Sequence, residues 1–513
     1  MHRYNKPVRA AVRLVGVAAL AAGFAACNTD KLVEVQQPDI VPPEALITIT
    51  ALPANLAAAQ SDFQQAFGGT SGIEGQVNYS GLLGDELINT ETFTTRIDID
   101  RRQIQDDNSN SEAVYRSLAR ARQTAERTAR LYAQLLPERK TLADTNNFDN
   151  GRAEALALAG FTYIYFGENY CSPLPFTEID AASKVIPSPA LPADSTWRRA
   201  LTRFDTAAVL ASAVITRAGA PAAAVTQARN ILRLVSVGRA RTYLNMADPG
   251  KDAYLDSAVA AIGGTAGVPN TYAYRIFGSE NSGRENNGVW SFAVGQLRWG
   301  VTNKQGVNGL AYRDNYTNSQ LPTSASVDNR TGFGTRVNGF DGVTGNFRPI
   351  KYPNRSAPIT VADGVEARLI EAEVQLRKGN TATWLAALNS LRASAATLPQ
   401  QQCVAGESTC ANPPGTGLPP LVAGATPKAN YDINFTERGY WLFLTSHRLG
   451  DMRREVRQLG GAGYTVATVY PVGNYEKTPS VTYSTDVSFP IPITERANTG
   501  FAQSGPTCDN TIP

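Results

Sequence analysis

Apolar and small residues recur at helical spacing along much of the chain. Between 114 and 135 they alternate in steps of four and three residues, which places them on one face of a helix. The segments 152–170 and 194–215 show the same period. Further helices are predicted near 226–246, 251–262, 363–378, 381–394 and 434–457. The pattern predicts a mainly α-helical protein.

Two regions, 241–261 and 371–391, repeat one arrangement: a helix, a short break that contains Gly or Asp, and a second helix. A unit of about 34 residues built in this way is typical of tetratricopeptide repeats. Such helix pairs cannot bury their apolar faces alone, so they stack on their neighbours. We therefore expect stacked tetratricopeptide-like helix pairs with long loop and short-strand insertions.

The stretch 263–362 has a different character. It is rich in Gly, Asn, Ser, Thr and Tyr, contains strand-like patches such as 289–294, and shows no sustained helical period. A loop region of this length inside a folded protein is usually functional or disordered, and its aromatic content argues against disorder. We expect this insertion to form a ligand-binding face.

Aromatic residues in and near this insertion suggest the ligand. Sugar rings present apolar C–H faces edged by hydroxyls, so a sugar-binding site needs flat aromatic platforms beside amide and carboxylate groups. The segment 296–320 offers Trp299, Tyr312 and Tyr316 among Asn, Gln, Arg and Asp residues, and Phe93 in the first long loop is a weaker addition. Alternatively, these rings simply anchor a long loop on the helices.

The N-terminus has the features of an export signal. Arg3, Lys6, Arg9 and Arg13 precede the apolar stretch 14–26, which is too short to span a bilayer. The small residues before Cys27 resemble the bacterial lipoprotein signal. That resemblance implies that residues 1–26 are removed, that Cys27 is lipidated, and that residues 27–45 form a tether to the membrane. An ordinary secretory signal with an incidental cysteine is the alternative.

Charge and histidine content exclude several functions. The chain has 513 residues and a net charge of +3, and loss of the leader with its four cations brings the net charge to about −1. No basic run or stripe remains for nucleic acid. With only His2 and His447 in the whole chain, no His-rich metal site can form, and we expect no metal or other cofactor. The oxygen-rich stretch 98–110 lacks the glycine of a calcium loop.

Four cysteines remain after Cys27, and an exported protein is expected to pair them. Three pairings are possible. A short polar loop containing Gly separates Cys403 from Cys410, which favours a disulfide between these two and leaves Cys171 to join Cys508.

Catalytic interpretations are weak. Ser446 and His447 are adjacent on a predicted helix and point about 100° apart, so they cannot form a nucleophile and base with Asp451. Asp85 and Glu86 are also neighbours, whereas the two carboxylates of a glycoside hydrolase lie about 5–9 Å apart across a substrate. We therefore expect no enzymatic activity.

Five segments, taken in chain order, resemble the SusD/RagB family of outer-membrane nutrient-uptake lipoproteins. The strongest is ERGYWLFLTSHRLGDMRR at 437–454, which resembles the family signature ER..EL..EG.R..DL.R. In it, Arg438, Arg448 and Asp451 have the spacing for buried ion pairs between packed helices. The other segments are 153–175, 328–330, 366–373 and 489–492.

The resemblance implies a SusD-like fold and a function. It implies an outer-membrane lipoprotein that faces the cell exterior, binds an oligosaccharide or other nutrient, and delivers it to a TonB-dependent outer-membrane β-barrel transporter. The layout is a leader (1–26), a lipidated tether (27–45), a helical-repeat part (46–262), the loop-rich insertion (263–362) and a C-terminal SusD-like part (363–513). The alternatives are a secreted carboxylate-dependent glycan hydrolase and a helical-repeat scaffold that binds proteins.

Overall fold

The structure is a computed structural model. It describes residues 46–180, 184–304, 306, 309–313, 329–398, 418–502 and 508–513. The predicted leader and tether, Cys27, Tyr316 and the Cys403–Cys410 pair therefore lie outside the described residues. The chain divides into two compact units, 1–51 and 52–513. In the first unit the described part ends in a 3-10 turn, Ile49–Ala51, and the second unit holds all the elements below.

Helices dominate the second unit, as predicted. In chain order they are α1 Leu52–Gly68, α2 Gln76–Leu83, α3 Thr94–Asp100, α4 Ser109–Gln134, α5 Leu142–Asn169, α6 Ala193–Thr216, α7 Ala222–Met246, α8 Ala253–Ile262, α9 Gly364–Arg377, α10 Thr381–Ala393, α11 Pro427–Trp441 and α12 Arg448–Leu459. Short helical turns lie at Gly264–Gly267, Gly288–Trp290, Val466–Val469, Ile493–Arg496 and Thr499–Ala502.

Neighbouring helices stack in series. Helix α1 packs on α4, α4 on α5, α5 on α6, α6 on α7 and α7 on α8, and α9 packs on α10. The two predicted repeat-like pairs are α7–α8 and α9–α10. Glycines allow the closest approach, because a Cβ on Gly160 of α5 or on Gly238 of α7 would lie 2.5 Å from the ring of Phe204 in α6. The prediction of stacked helix pairs is confirmed.

The strands are short and antiparallel. They are β1 Leu87–Asn89, β2 Leu174–Pro175, β3 Glu178–Ile179, β4 Val185–Ile186, β5 Ala190–Leu191, β6 Ala273–Ile276, β7 Trp299–Val301, β8 Phe333–Asn338, β9 Gly345–Pro349, β10 Ile359–Asp363, β11 Asn474–Tyr475 and β12 Thr478–Thr482. Among the described residues they pair two by two: β1 with β7, β2 with β5, β3 with β4, β6 with β10, β8 with β9 and β11 with β12.

Several helices begin earlier than predicted, and two of the differences arise from contacts outside the apolar period. Helix α5 begins ten residues before the predicted start, at a capping box in which Thr141 and Asp144 satisfy each other's backbone N–H groups. The predicted helix 434–457 is two helices, α11 and α12. Between them Leu444 and Ser446 have positive φ angles of 51° and 60°.

A disulfide joins Cys171 to Cys508 across 337 residues of sequence, with 5.4 Å between the Cα atoms. This pairing confirms that prediction. The bond ties the C-terminal segment to the end of α5, where Phe489 N–H also donates to the carbonyl of Asn169 at 2.8 Å.

Buried ion pairs join α9, α11 and α12. Arg438 binds Asp451 at 2.8 Å, and Arg454 binds both Asp451 at 2.8 Å and Glu373 at 2.5 Å. Burial alone would raise the pKa of Asp451, but the Arg438 and Arg454 guanidiniums outweigh it and hold that pKa well below its usual range. The predicted pair between Arg438 and Asp451 is confirmed. Arg448 instead binds Glu455 of its own helix at 3.4 Å.

We predict that Asp451→Asn lowers the free energy of unfolding by about 3–5 kcal/mol, because it leaves two buried guanidiniums short of a partner. Since the folded pKa of Asp451 is depressed, its contribution is fully present above the unfolded pKa of about 4 and is lost as pH falls further. Urea unfolding at neutral and acid pH measures both effects. The exposed ion pair between Arg198 and Asp194 provides the control variant, Asp194→Asn. Equal losses in the two variants at neutral pH would contradict the prediction.

Candidate ligand-binding surface

Two of the four aromatic residues predicted to bind ligand are fully buried. Trp299 lies in β7, with its ring 5.7 Å from that of Phe292. Tyr312 contacts the ring of Phe443 at 5.3 Å. In this structure neither ring offers a face to a sugar, which argues against the stacking role predicted for them. The alternative, that these rings anchor a long loop, describes both.

The reason for this burial is the pairing of β7. It pairs with β1 on one side, and on the other Asn346 of β9 donates its side-chain amide to the carbonyl of Trp299 at 2.8 Å. All three residues of β7 are buried. A Trp within a polar, Gly-rich segment suggests an exposed ring, and the sequence carries no local sign that two strands enclose it.

Phe93 is exposed, and it lies near a second exposed ring that was not predicted from the sequence. Phe93 precedes α3 and is 49% exposed, and Phe340, at the tip of the β8–β9 hairpin, is 51% exposed. The guanidinium of Arg298 lies between them, 5.2 Å from the Phe93 ring centroid and 4.2 Å from that of Phe340. We call these three residues the aromatic face. The position of Phe340 in a turn, between Gly339 and Gly342, is the sequence signal that could have revealed it.

Buried ion pairs hold the residues of the aromatic face in place. The carboxylate of Glu91 is buried, binds Arg298 directly and lies 3.3 Å from Arg96. Arg96 also binds Glu74 and places its guanidinium 5.3 Å from the Phe93 ring. Because Glu91 binds Arg298, the guanidinium is restrained in its position beside both rings.

A polar cleft of about 410 Å³ adjoins the aromatic face and shares the β8–β9 hairpin with it. In the cleft the guanidinium of Arg313 lies 3.8 Å from the Phe347 ring and binds Glu476 at 2.6 Å. Lys477 binds Asp341 at 3.0 Å. Arg336 also lines the cleft and donates to two neutral oxygens, Asn338 Oδ1 at 3.1 Å and the carbonyl of Val343 at 3.3 Å.

The turn that carries Phe340 is held by Asp341. Partial burial opposes ionisation of this carboxyl, but hydrogen bonds from Thr344, from the backbone N–H of Val343 and from Lys477 outweigh it and lower its pKa to about 2. Lys477 also reaches Asn89 Oδ1 of β1 at 3.2 Å, so it links the hairpin to the strand beside Glu91. The aromatic face and the cleft are therefore one connected surface.

The residues considered for catalysis are bound to protein groups. The hydroxyl of Ser446 contacts Ser80 Oγ at 3.1 Å, while His447 Nε2 lies 3.1 Å from Glu366. Asp85 accepts hydrogen bonds from Gly306 N–H at 2.9 Å and from Tyr483. Glu86 accepts from Leu444 N–H at 2.9 Å, and burial raises its pKa to about 7.

No protein-family model matches the sequence, and neither does any curated protein. Solved structures do match. A SusD/RagB family protein from Bacteroides thetaiotaomicron aligns over 87% of this chain and 93% of its own, with a TM-score of 0.56 and 14% identity. A SusD superfamily protein from Parabacteroides distasonis aligns over 88% and 98%, with a TM-score of 0.56 and 14% identity. The fold is that of the SusD superfamily.

A third protein with the SusD fold, from Bacteroides vulgatus, is named for sugar binding. It aligns over 91% of this chain and 99% of its own, with a TM-score of 0.53 and 15% identity. The fold shared with these proteins therefore extends over most of the chain. Within the described residues, no helix is both long and apolar enough to cross a membrane.

We predict that Trp299→Ala lowers the free energy of unfolding by about 3–5 kcal/mol, because a large buried ring is removed from the core. Phe93→Ala, which removes a half-exposed ring from the same surface, is the matched control and should cost far less. Thermal melts of the two variants test this. A melting temperature of Trp299→Ala equal to that of the control would show that the ring does not anchor β7.

Proposed function

We propose that this protein is a cell-surface nutrient-binding lipoprotein that captures an oligosaccharide on the aromatic face and its adjoining cleft. It then delivers the ligand to a TonB-dependent outer-membrane transporter. The fold supports the general role, and the sugar-binding name of the Bacteroides vulgatus protein supports the ligand class. No covalent chemistry is part of the proposal.

One observation carries the proposal: Phe93 and Phe340 are both half exposed and flank one guanidinium that cannot move away. Leaving two large apolar rings in water sacrifices the free energy that their burial would give. A sugar covers such a ring with its C–H face and offers hydroxyl oxygens to the Arg298 donors. Two exposed rings beside one guanidinium suit a ligand with more than one sugar ring.

The adjoining cleft supplies hydrogen-bonding groups for the rest of the ligand. Arg313 and Arg336 are donors, and Glu476 is an acceptor. A few polar groups placed beside aromatic rings are the usual means by which a binding site fixes orientation.

The geometry favours binding over glycan hydrolysis. Asp85 and Glu86, the carboxylates first considered for a hydrolase, are buried and accept hydrogen bonds from the protein itself. Neither residue belongs to the aromatic face or lines the adjoining cleft. We therefore assign them a structural role beneath the binding surface.

We predict that Phe93→Ala and Phe340→Ala each weaken oligosaccharide binding about tenfold, since a lost aromatic contact with its buried area is worth roughly 1–2 kcal/mol. A glycan array identifies the ligand, and calorimetric titration measures its affinity for each variant. Val209→Ala, which trims an exposed side chain on α6, is the control and should bind normally. Unchanged affinity in both Phe variants would remove the aromatic face from the site.

We predict that Cys27→Ser moves the protein from the membrane fraction to the soluble fraction without altering its melting temperature. The physical reason is that an acylated cysteine holds the chain at the bilayer, whereas the folded part does not depend on the anchor. Thr29→Ser, two residues along the proposed tether, is the control and should stay with the membrane. Membrane retention of Cys27→Ser, or release of both variants, would contradict lipidation at Cys27.

A further inference from the structure

We propose a second binding site, a cleft lined by Gln60, Gln64, Glu154, Tyr274 and Phe277, which takes one sugar unit of a glycan. We call it the Glu154 cleft. It lies between α1, α5 and β6 and has a volume of about 560 Å³, a size usual for small-molecule sites. It shares no residue with the aromatic face or its adjoining cleft.

Glu154 is the polar centre of the cleft. It is only 7% exposed, and its Oε1 accepts hydrogen bonds from Gln60 Nε2 and from the Tyr274 hydroxyl, both at 2.7 Å. The hydrogen bonds that the described residues make to Glu154 all reach Oε1, which leaves Oε2 for another donor. Because Oε2 is reached from the cleft, a hydroxyl-bearing ligand there would donate to it in place of water.

Two amides on the same face of α1 add acceptors. Gln60 uses Nε2 for Glu154, and Gln64 uses Nε2 for the carbonyls of Gly69 at 3.1 Å and Asn286 at 3.2 Å. Both amides are thereby oriented, and their Oε1 atoms are the acceptors that remain. Residues four apart are neighbours on a helix, so Gln60 and Gln64 present these oxygens side by side.

An exposed aromatic ring completes the arrangement. Phe277 follows β6, lines the cleft and is 72% exposed. A ring beside three acceptor oxygens matches a pyranose, which has an apolar C–H face and several hydroxyl donors. An alkylammonium group could use the same acceptors and ring. The choice of a sugar rests on the proposed function.

The test uses the purified full-length protein and four simple probes: glucose, galactose, mannose and xylose. Saturation-transfer NMR and titration are carried out in the double variant Phe93→Ala/Phe340→Ala, in which the aromatic face is disabled. We expect at least one probe to bind this variant. Adding Phe277→Ala or Glu154→Gln should weaken that binding about tenfold or more. Adding Val209→Ala should leave it unchanged, and thermal melts check that each variant is folded.

The outcomes separate the two sites. If the double variant binds none of the four sugars, or binds them equally well without Phe277, the Glu154 cleft is not a sugar site. That result does not contradict the proposed role of the aromatic face. If Phe93→Ala/Phe340→Ala binds oligosaccharide as well as the parent while Phe277→Ala does not, the Glu154 cleft stands and the aromatic face fails. A fifth probe, Nα-acetyl-lysine amide, carries a free ε-ammonium. Binding of this probe in place of every sugar would overturn the ligand class.

Discussion

The structure depends on buried ion pairs where the helical repeats meet the C-terminal helices. Glu373 and Asp451 lie between Arg438 and Arg454, and beside them Arg241 of α7 binds Glu168 of α5 at 2.5 Å. Removing such groups from water is costly, and only near-complete pairing offsets the cost. The pairs therefore fix which faces of α5, α7, α9, α11 and α12 can meet, more strictly than apolar packing alone would.

The ion pairs are linked to the aromatic face, the proposed binding surface, through the break between α11 and α12. At the break, Leu444 N–H donates to Glu86, and the Leu444 carbonyl accepts from the Tyr352 hydroxyl at 2.8 Å. Glu86 immediately precedes β1, which pairs with β7, and Arg298 precedes β7. The aromatic face thus lies at the end of a chain of directed contacts that begins in the ion-pair core. A rigid base of this kind lowers the entropy lost on binding.

The helices could be predicted from the sequence because their period is a local property. The Arg438–Asp451 pair was expected from the family signature, although the two residues lie on different helices. The exposure of a side chain, in contrast, is not a local property of the sequence. Trp299 and Phe93 sit in equally polar surroundings in the sequence, yet strand pairing buries the first and leaves the second at the surface. Phe340 was missed for the same reason, since only the folded hairpin brings it to Arg298. The break in the predicted helix 434–457 also depends on distant partners, Glu86 and Tyr352.

The aromatic face and the Glu154 cleft differ in the charged group beside their rings, so they offer different hydrogen-bonding groups to a ligand. At the aromatic face a guanidinium lies between the rings, so the surface offers donors to a ligand's oxygens. In the Glu154 cleft the Oε2 atom of Glu154 and the Oε1 atoms of Gln60 and Gln64 are acceptors, so they receive a ligand's hydroxyl protons. A sugar hydroxyl both donates and accepts, which makes a glycan one ligand that suits both surfaces.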